Sequence, residues 1–329
     1  MATVSSSLLP GGTERLLIAR LGHRGDGVVD TAHGPIYVPG TLPGEIADVE
    51  PVAGNPDRRR LLRIERVSPQ RIAPICPHFG VCGGCAVQHW DEQRYRAWKR
   101  DLVAITLARA RLDAQLDDLV DAHGEGRRRA VLHARYGARG NLEVGFAAAR
   151  AHRVVPIDRC PVLAPALARA IGVTWALARA CESTKPLDLQ LTASDDGLDV
   201  DLRGSGPLPP LVLSKLADIA GTNRLARLTR HGELIAQFAA PRVQMGRAVV
   251  MLPPAAFLQA TAEGEATIAR LVAGHVGKAE TVADLFAGLG AFALRLAERA
   301  RITAIDIDAT AITALGRAAA ATPGLKPVI

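Results

Sequence analysis

Thr281-Val-Ala-Asp-Leu-Phe286-Ala-Gly288-Leu-Gly290-Ala-Phe292 is the stretch from which the fold is read. Its first six residues make an apolar run of strand length. Two closely spaced glycines follow, and then a segment of helix formers. A glycine-rich strand-to-helix turn lets backbone approach a cofactor closely and aims the helix N-terminus at it. Further on, Ile302-Thr-Ala-Ile-Asp306 reads as a second strand ending in an acid. In doubly wound sheets that acid holds ribose hydroxyls. The glycines alone leave a dinucleotide dehydrogenase as a rival, because Ala293 at the third glycine position is tolerated by that fingerprint.

Upstream, Cys76-Pro-His-Phe-Gly-Val-Cys82-Gly-Gly-Cys85 gathers three of the five cysteines, and Cys160 stands in Asp-Arg-Cys-Pro. Gly83 and Gly84 allow the tight turn that puts two sulfurs on one side. Four thiolates suit a [4Fe–4S] cluster or a structural tetrahedral zinc. Disulfides require an oxidising compartment. Inert core cysteines do not usually cluster at this spacing. The spacing leaves zinc and iron–sulfur both open. Cys181 has no cysteine near it and reads as a small buried residue.

Toward the N-terminus, five short strands bounded by Gly or Pro fall within residues 13–69: Glu14 to Leu21, Val28-Val29, Ile36 to Val38, Ile46 to Glu50 and Arg58 to Val67. This pattern predicts a small closed barrel of oligonucleotide-binding type. Arg58, Arg59, Arg60 and Arg63, extended by Arg71, make either a phosphate-tracking surface or a solvated strand face.

In the middle, Asp91 to Leu112 reads as a helix capped by Asp91, with Trp98, Leu102, Ile105 and Leu107 toward one side. Trp90, Tyr95 and Trp98 are read as packing groups around the cysteine segment rather than base-stacking platforms. Arg127-Arg128-Arg129 precedes a hairpin, 130–136 with 142–148, joined by Gly137 to Asn141. A helix from Leu163 to Glu182 and two more strand pairs, 187–192 with 198–202 and 224–229 with 234–238, complete an α+β domain with helices on one face. His23, His78, His89, His133 and His152 show no partner pattern of a metal or catalytic site.

The 329 residues allow two or three domains, and a net charge of +7 favours an anionic partner such as nucleic acid. Met1 to Gly12 lacks the pattern of a signal peptide, and no apolar run has the length of a membrane span. Five cysteines without an export signal point to a reducing, cytoplasmic setting.

Several of these segments resemble one family together. C-x5-C-G-G-C followed by Gln88-His89-Trp90, with a later Cys160-Pro, is similar to the iron–sulfur signature of bacterial RNA uracil-C5 methyltransferases. D-L-F-x-G-x-G-x-F at 284–292 and F-x-Q at 257–259 resemble that family's S-adenosylmethionine motifs. G-x-G-V-V from Gly25 and V-P-G-x-L-P-G-E from Val38 resemble its RNA-binding TRAM domain. The resemblance implies a multidomain α/β protein: a TRAM-like OB barrel (1–69), an α+β iron–sulfur domain (70–255) and part of a Rossmann-like class I methyltransferase domain (256–329). It implies S-adenosyl-L-methionine bound by Gln259, Phe286, Gly288, Gly290 and Asp306. It also implies a [4Fe–4S] cluster on Cys76, Cys82, Cys85 and Cys160. The implied partner is RNA, 23S ribosomal RNA in the subfamily resembled, with no membrane and no obligate protein partner.

Two departures stand out: Ala291 and Thr261 occupy positions where the family often has Asn. The family's later motifs, D-P-P-R, S-C-N with its nucleophilic cysteine, and a glutamate base, are not found within 1–329. The resemblance therefore implies a C-terminally truncated member that binds cofactor weakly, turns over no RNA and loses its last segment to proteases after about Gly264. Transfer RNA uracil-C5 methylation is the alternative enzyme reading, although those relatives typically lack barrel and cluster. A catalytically silent RNA-binding iron–sulfur protein is the alternative from another class.

Overall fold

The computed structural model describes residues 7–8, 12–137, 140–181, 183 and 185–329. The expected turn at 138–139, the helix end at Glu182 and most of the Met1–Gly12 segment lie outside the described residues. The chain divides into two compact units, Met1–Asp121 with Ala148–Ala151, and Ala122–Ala147 with His152–Ile329.

The first unit carries β1 (Ser7–Leu8), β2 (Glu14–Leu17), β3 (Arg20–Leu21), β4 (Gly27–Thr31), β5 (Gly34–Val38), β6 (Ile46–Val52) and β7 (Asn55–Arg66). Their order in the sheet is β1-β2-β6-β7-β5-β4-β3. The single strand expected over Glu14 to Leu21 is split into β2 and β3. Between them Ile18 N donates to Glu45 O and Ala19 N to Val28 O, each at 2.9 Å. One bent stretch thus pairs with β6 on one side and β4 on the other, so the sheet curls until its ends meet. Leu16, Ile18, Val29, Val38, Ala47 and Val49 fill the interior. Gly27 is required at the closure, where a Cβ would lie 2.0 Å from the Thr41 hydroxyl and 2.9 Å from Ile18.

After β7 the chain enters the cysteine segment and then α1 (Glu92–Arg109), whose N-cap Asp91 accepts the Arg94 amide at 3.0 Å. No α1 residue is fully buried, and Ile105, expected on the packed side, is exposed. Trp98 stands 6.5 Å from Trp90 and 5.9 Å from Tyr95, ring centre to ring centre. These aromatics therefore pack on one another.

The second unit is built on β8 (Arg129–Tyr136), β9 (Leu142–Ala147), β10 (Val154–Pro156), β11 (Leu187–Ser194), β12 (Gly197–Arg203), β13 (Leu225–Arg230) and β14 (Glu233–Gln237). They lie in the order β10-β9-β8-β11-β12-β13-β14. The helix expected over 163–182 is a 3-10 turn, Pro165–Leu167, followed by α2 (Ala170–Cys181). A helix the sequence reading missed, α3 (Pro210–Thr222), connects β12 to β13, which pair in parallel. Its run of prolines masked the helix, yet Pro209 is its N-cap and Pro210 its first residue, where a missing N–H costs nothing. α2 packs against β8, β9 and β11, α3 packs against β13 and β14, and the helices touch each other, so both cover one face.

The unit continues with a hairpin, β15 (Arg242–Met245) and β16 (Ala248–Met251), and then α4 (Ala262–Val276), none of which was expected. β17 (Thr281–Leu285) and β18 (Arg301–Ile305) pair in parallel, with α5 (Ala293–Leu296) between them and α6 (Ala309–Ala321) after them. A third parallel line forms beside β18, where Ile302 N donates to Pro327 O at 2.9 Å and Ala304 N to Ile329 O at 2.7 Å. Leu258, Ala287, Leu289, Leu294, Ile302 and Leu315 belong to one buried cluster that ties these pieces together. Among the described residues no helix is long and apolar enough to cross a membrane.

Candidate functional site

The carboxyl ends of β17 and β18 carry one carboxylate each, Asp284 within the first and Asp306 just past the second. Asp306 reaches across to the turn, where its Oδ2 accepts the Gly288 amide at 2.8 Å, while Oδ1 accepts the Asp308 amide at 2.9 Å. These amides, Asp308 first and Gly288 second, hold Asp306 below the ordinary carboxylate range. Asp284 behaves oppositely: burial pushes it up, the Ala293 amide at 3.0 Å offsets part of that, and the charge of Asp306 adds to the rise. Two carboxylates with different environments therefore meet the turn. Both are half-buried: Asp306 is an ionised acceptor, and Asp284 braces the first amide of α5.

The two glycines do different work. Gly288 (φ +54) has no atom within 4 Å of where a Cβ would stand, so its face is open to an approaching ligand. At Gly290 (φ +91) a Cβ would lie 2.8 Å from Leu315 and 3.0 Å from Leu294, so that glycine is demanded by packing of the turn onto α6. Phe286 has φ +61 and is 89% exposed, and Ile307 is 98% exposed. A bulky residue held in the left-handed region is uncommon outside functional turns. The expected helix N-terminus contributes little, since α5 has only four residues and its first amide is taken by Asp284.

Gln259 lies on the irregular segment before α4. Its neighbour Leu258 is buried in the same cluster as Ala287 and Leu289. Its carbonyl accepts Arg128 Nε at 3.2 Å. Phe257 is exposed and lies 4.3 Å from the Arg129 guanidinium, measured to the ring centre. Burial, followed by the charges of Arg127 and Arg128, lowers Arg129 from its ordinary value.

The cysteines are divided between the two units. Cys76, Cys82, Cys85 and Cys160 are partly buried, and burial of Cys181 in α2 pushes its thiol up to about 11. Cys82 forms a bridge with Ala148, and its sulfur accepts the Gly84 amide at 3.4 Å. Cys76, Cys82 and Cys85 belong to the first unit and Cys160 to the second. Among the described residues no three His, Cys, Asp or Glu side chains are grouped as a metal site. Four thiols suit a cluster chemically. Close by in sequence, Gln88 Nε2, Trp90 Nε1 and Trp98 Nε1 are buried without a hydrogen-bond partner among the described residues. Burial, followed by the charge of Arg71, lowers His89 to about 4.

The β7 arginines are largely spoken for. Arg59 pairs with Glu14 at 2.9 Å, Arg60 with Glu50, and Arg63 with Asp48 at 3.1 Å and with Glu65. Arg71 is not part of an open basic surface: it forks onto the fully buried Glu45 at 2.7 and 2.8 Å. A different place offers an unneutralised cation. Arg24, beside His23, stands exposed at the rim of a cavity of about 160 Å³ whose wall includes Asp26, Tyr37 and Arg58. Neither meets a carboxylate at ion-pair distance among the described residues. Sequence reading missed this loop, which lies between the strands expected over Glu14 to Leu21 and Val28-Val29.

Parallel strands, a glycine turn at the carboxyl end of the first and an acid at the end of the second define an α/β protein built to hold a nucleotide-type cofactor, a class that includes the methyltransferases. Comparison with known proteins agrees. An uncharacterized RNA methyltransferase of Brucella suis biovar 1 is 41% identical over 317 residues, covering 96% of this chain and 75% of that protein. One from Caulobacter vibrioides is 40% identical over 326 residues, covering 95% and 77%. The 23S rRNA (uracil(1939)-C(5))-methyltransferase RlmD of Halomonas elongata is 32% identical over 334 residues, covering 93% and 68%. Among solved structures, the Pyrococcus abyssi tRNA (uracil-54, C5)-methyltransferase, determined with S-adenosyl-L-homocysteine, matches with a TM-score of 0.71 at 20% identity, covering 96% of this chain and 79% of that one. No protein-family model matches the chain. The chain belongs to the RNA methyltransferase family.

Proposed function

We propose that the chain serves the S-adenosyl-L-methionine-dependent C5-methylation of a uridine in ribosomal RNA, with the cofactor held at the turn between β17 and β18. The observation that carries this reading is the bond from Gly288 N to Asp306 Oδ2, which presents an ionised carboxylate beside an open backbone face. In this reading Asp306 accepts ribose hydroxyls, Phe286 and Ile307 cover an adenine, and the Gln259 side chain bonds the polar end of the cofactor. The cofactor supplies the methyl group. Attack by uracil C5 needs a thiolate added at C6 and a base to remove the C5 proton. Neither role is assigned to a residue of this chain. The uracil target and ribosomal substrate are supported by the Halomonas relative and by the sequence motifs.

RNA is proposed to track the closed barrel of the first unit, the part whose sequence resembles a TRAM domain. The His23–Arg24 loop is the expected phosphate contact, because the β7 arginines already face carboxylates. Replacing Arg24 by Ala should lower the slope of log affinity against log salt by about one ion for single-stranded RNA. Replacing Arg59 should change it less. Equal slopes for the wild type and the Arg24 variant would remove this contact from the account.

The iron–sulfur reading rests on the spacing of Cys76, Cys82, Cys85 and Cys160 and on the resemblance it carries. Anaerobically purified chain should contain about four iron atoms and absorb broadly near ~400 nm. Zinc at one atom per chain, with no iron, would replace the cluster by a structural metal.

A further inference from the structure

We infer that Glu265 is a positioning residue: held between Arg128 and Arg295, it locks the Gln259 segment to the glycine turn and so fixes the two sides of the cofactor site. The inference rests on the proposed cofactor site and adds to it three residues that no sequence motif marks.

Glu265 sits in the first turn of α4 with its side chain 2% exposed. Its Oε2 accepts Arg128 Nη2, and its Oε1 accepts both terminal nitrogens of Arg295 at 3.1 Å. Each guanidinium spends a further donor on backbone at the proposed site. Arg128 Nε reaches the Gln259 carbonyl at 3.2 Å, and the Arg128 amide reaches Ala260 O at 2.9 Å. Arg295 Nη1 reaches the Ala291 carbonyl, in the glycine turn, at 2.6 Å. A continuous chain of charge-assisted bonds thus runs from Gln259 through Arg128, Glu265 and Arg295 to Ala291. Both ends are anchored elsewhere. Arg128 O accepts Ala193 N of β11 at 2.8 Å, and the stem of Arg295 lies against Gly246, where a Cβ would stand 2.9 Å from its Cγ.

Apolar burial beneath the site already brings Leu258 together with Ala287 and Leu289. That force is non-directional and sets proximity, not the orientation of peptide planes. Hydrogen bonds onto the Gln259 and Ala291 carbonyls do set that orientation, and planar guanidinium forks do so with little slack. Two cations share one anion here, so the carbonyls take up donors the carboxylate cannot. Such a device contributes specificity of placement rather than net stability, since burying the charges costs much of what their attraction returns.

The test uses the full chain in four forms: wild type, Glu265→Gln, Arg295→Lys and, as a control on the same helix, Glu263→Gln. Amide hydrogen exchange is followed at 257–264 and 286–294, with β11 and β12 reporting global unfolding. Glu265→Gln and Arg295→Lys should each accelerate exchange in both segments together, by roughly tenfold, the size of one charge-assisted bond. Glu263→Gln should accelerate neither. Should Glu265→Gln loosen β11 and β12 as well, Arg295→Lys decides, because it keeps the charge and loses only the fork. Acceleration confined to the segment nearest the substitution would overturn the lock. S-adenosyl-L-homocysteine affinity, measured on the same samples, should fall about tenfold in Arg295→Lys. Unchanged affinity beside coupled exchange would overturn its role in binding. A wild-type chain that exchanges as described but does not bind the compound would refute the cofactor reading instead.

Discussion

The two turn glycines separate what the fold needs from what a ligand needs. Gly290→Ala drives a Cβ into Leu315 and Leu294 and should cost about 1–3 kcal/mol of stability, read as a lowered urea midpoint. Gly288→Ala meets only open space, so it should cost less in stability and more in cofactor affinity. If the two variants rank the same way in both measurements, the open face of Gly288 is not a binding surface. His89 gives a pH signature of its own. It is buried and neutral, with its pKa lowered from 6.5 to about 4, while the unfolded chain keeps the ordinary value. The unfolded state therefore binds more protons between these values, and stability should rise with pH from about 4 to 6.5. Urea midpoints followed by Trp90 and Trp98 fluorescence should show that slope, and His89→Phe should flatten it.

At the scale of elements, α4 is held at its start by Thr261, whose hydroxyl accepts Gly264 N and donates to Ala122 O, both at 2.8 Å. Thr261→Ala should lower stability by about 1 kcal/mol, the worth of a helix cap, and loosen the Gln259 segment next to it. Thr261→Ser should restore both. Which elements were legible in sequence follows from how local their signals are. β17 and β18 showed as apolar runs ending in a glycine turn and an acid, and the β8–β9 and β11–β12 hairpins showed through alternation and turn chemistry. α1 was marked by its Asp91 cap. α3 was hidden by Pro207, Pro209 and Pro210, because the same residue that ends a helix also begins one. β15 and β16 are four residues each, too short for a period to register. The lock through Glu265 could not be read at all. It joins residues 128, 265 and 295, and only the packing of three separate segments makes them neighbours.

Over the whole molecule, local motifs and whole-chain similarity lead to the same family. The motifs raised the expectation of a cofactor at the β17–β18 turn, and relatives at 41% and 40% identity across nearly all of the chain place it among RNA methyltransferases. The arginines of β7 show the limit of reading charge from sequence: Arg59, Arg60 and Arg63 were all visible as cations, but their partners Glu14, Glu50 and Asp48 come from other strands. The pairing favours the solvated-face alternative, and the proposed RNA contact is therefore the His23–Arg24 loop. The central claim is that the turn between β17 and β18 binds the cofactor, and a titration that registers weak binding tests it most directly. Backbone amide shifts of the chain are followed by nuclear magnetic resonance as S-adenosyl-L-homocysteine is added. Saturable shifts should appear at Gly288, Gly290 and Asp308 and at the Gln259 side-chain amide, and Asp306→Ala should abolish them. Shifts centred elsewhere, or an Asp306→Ala chain that responds as the wild type does, would contradict it.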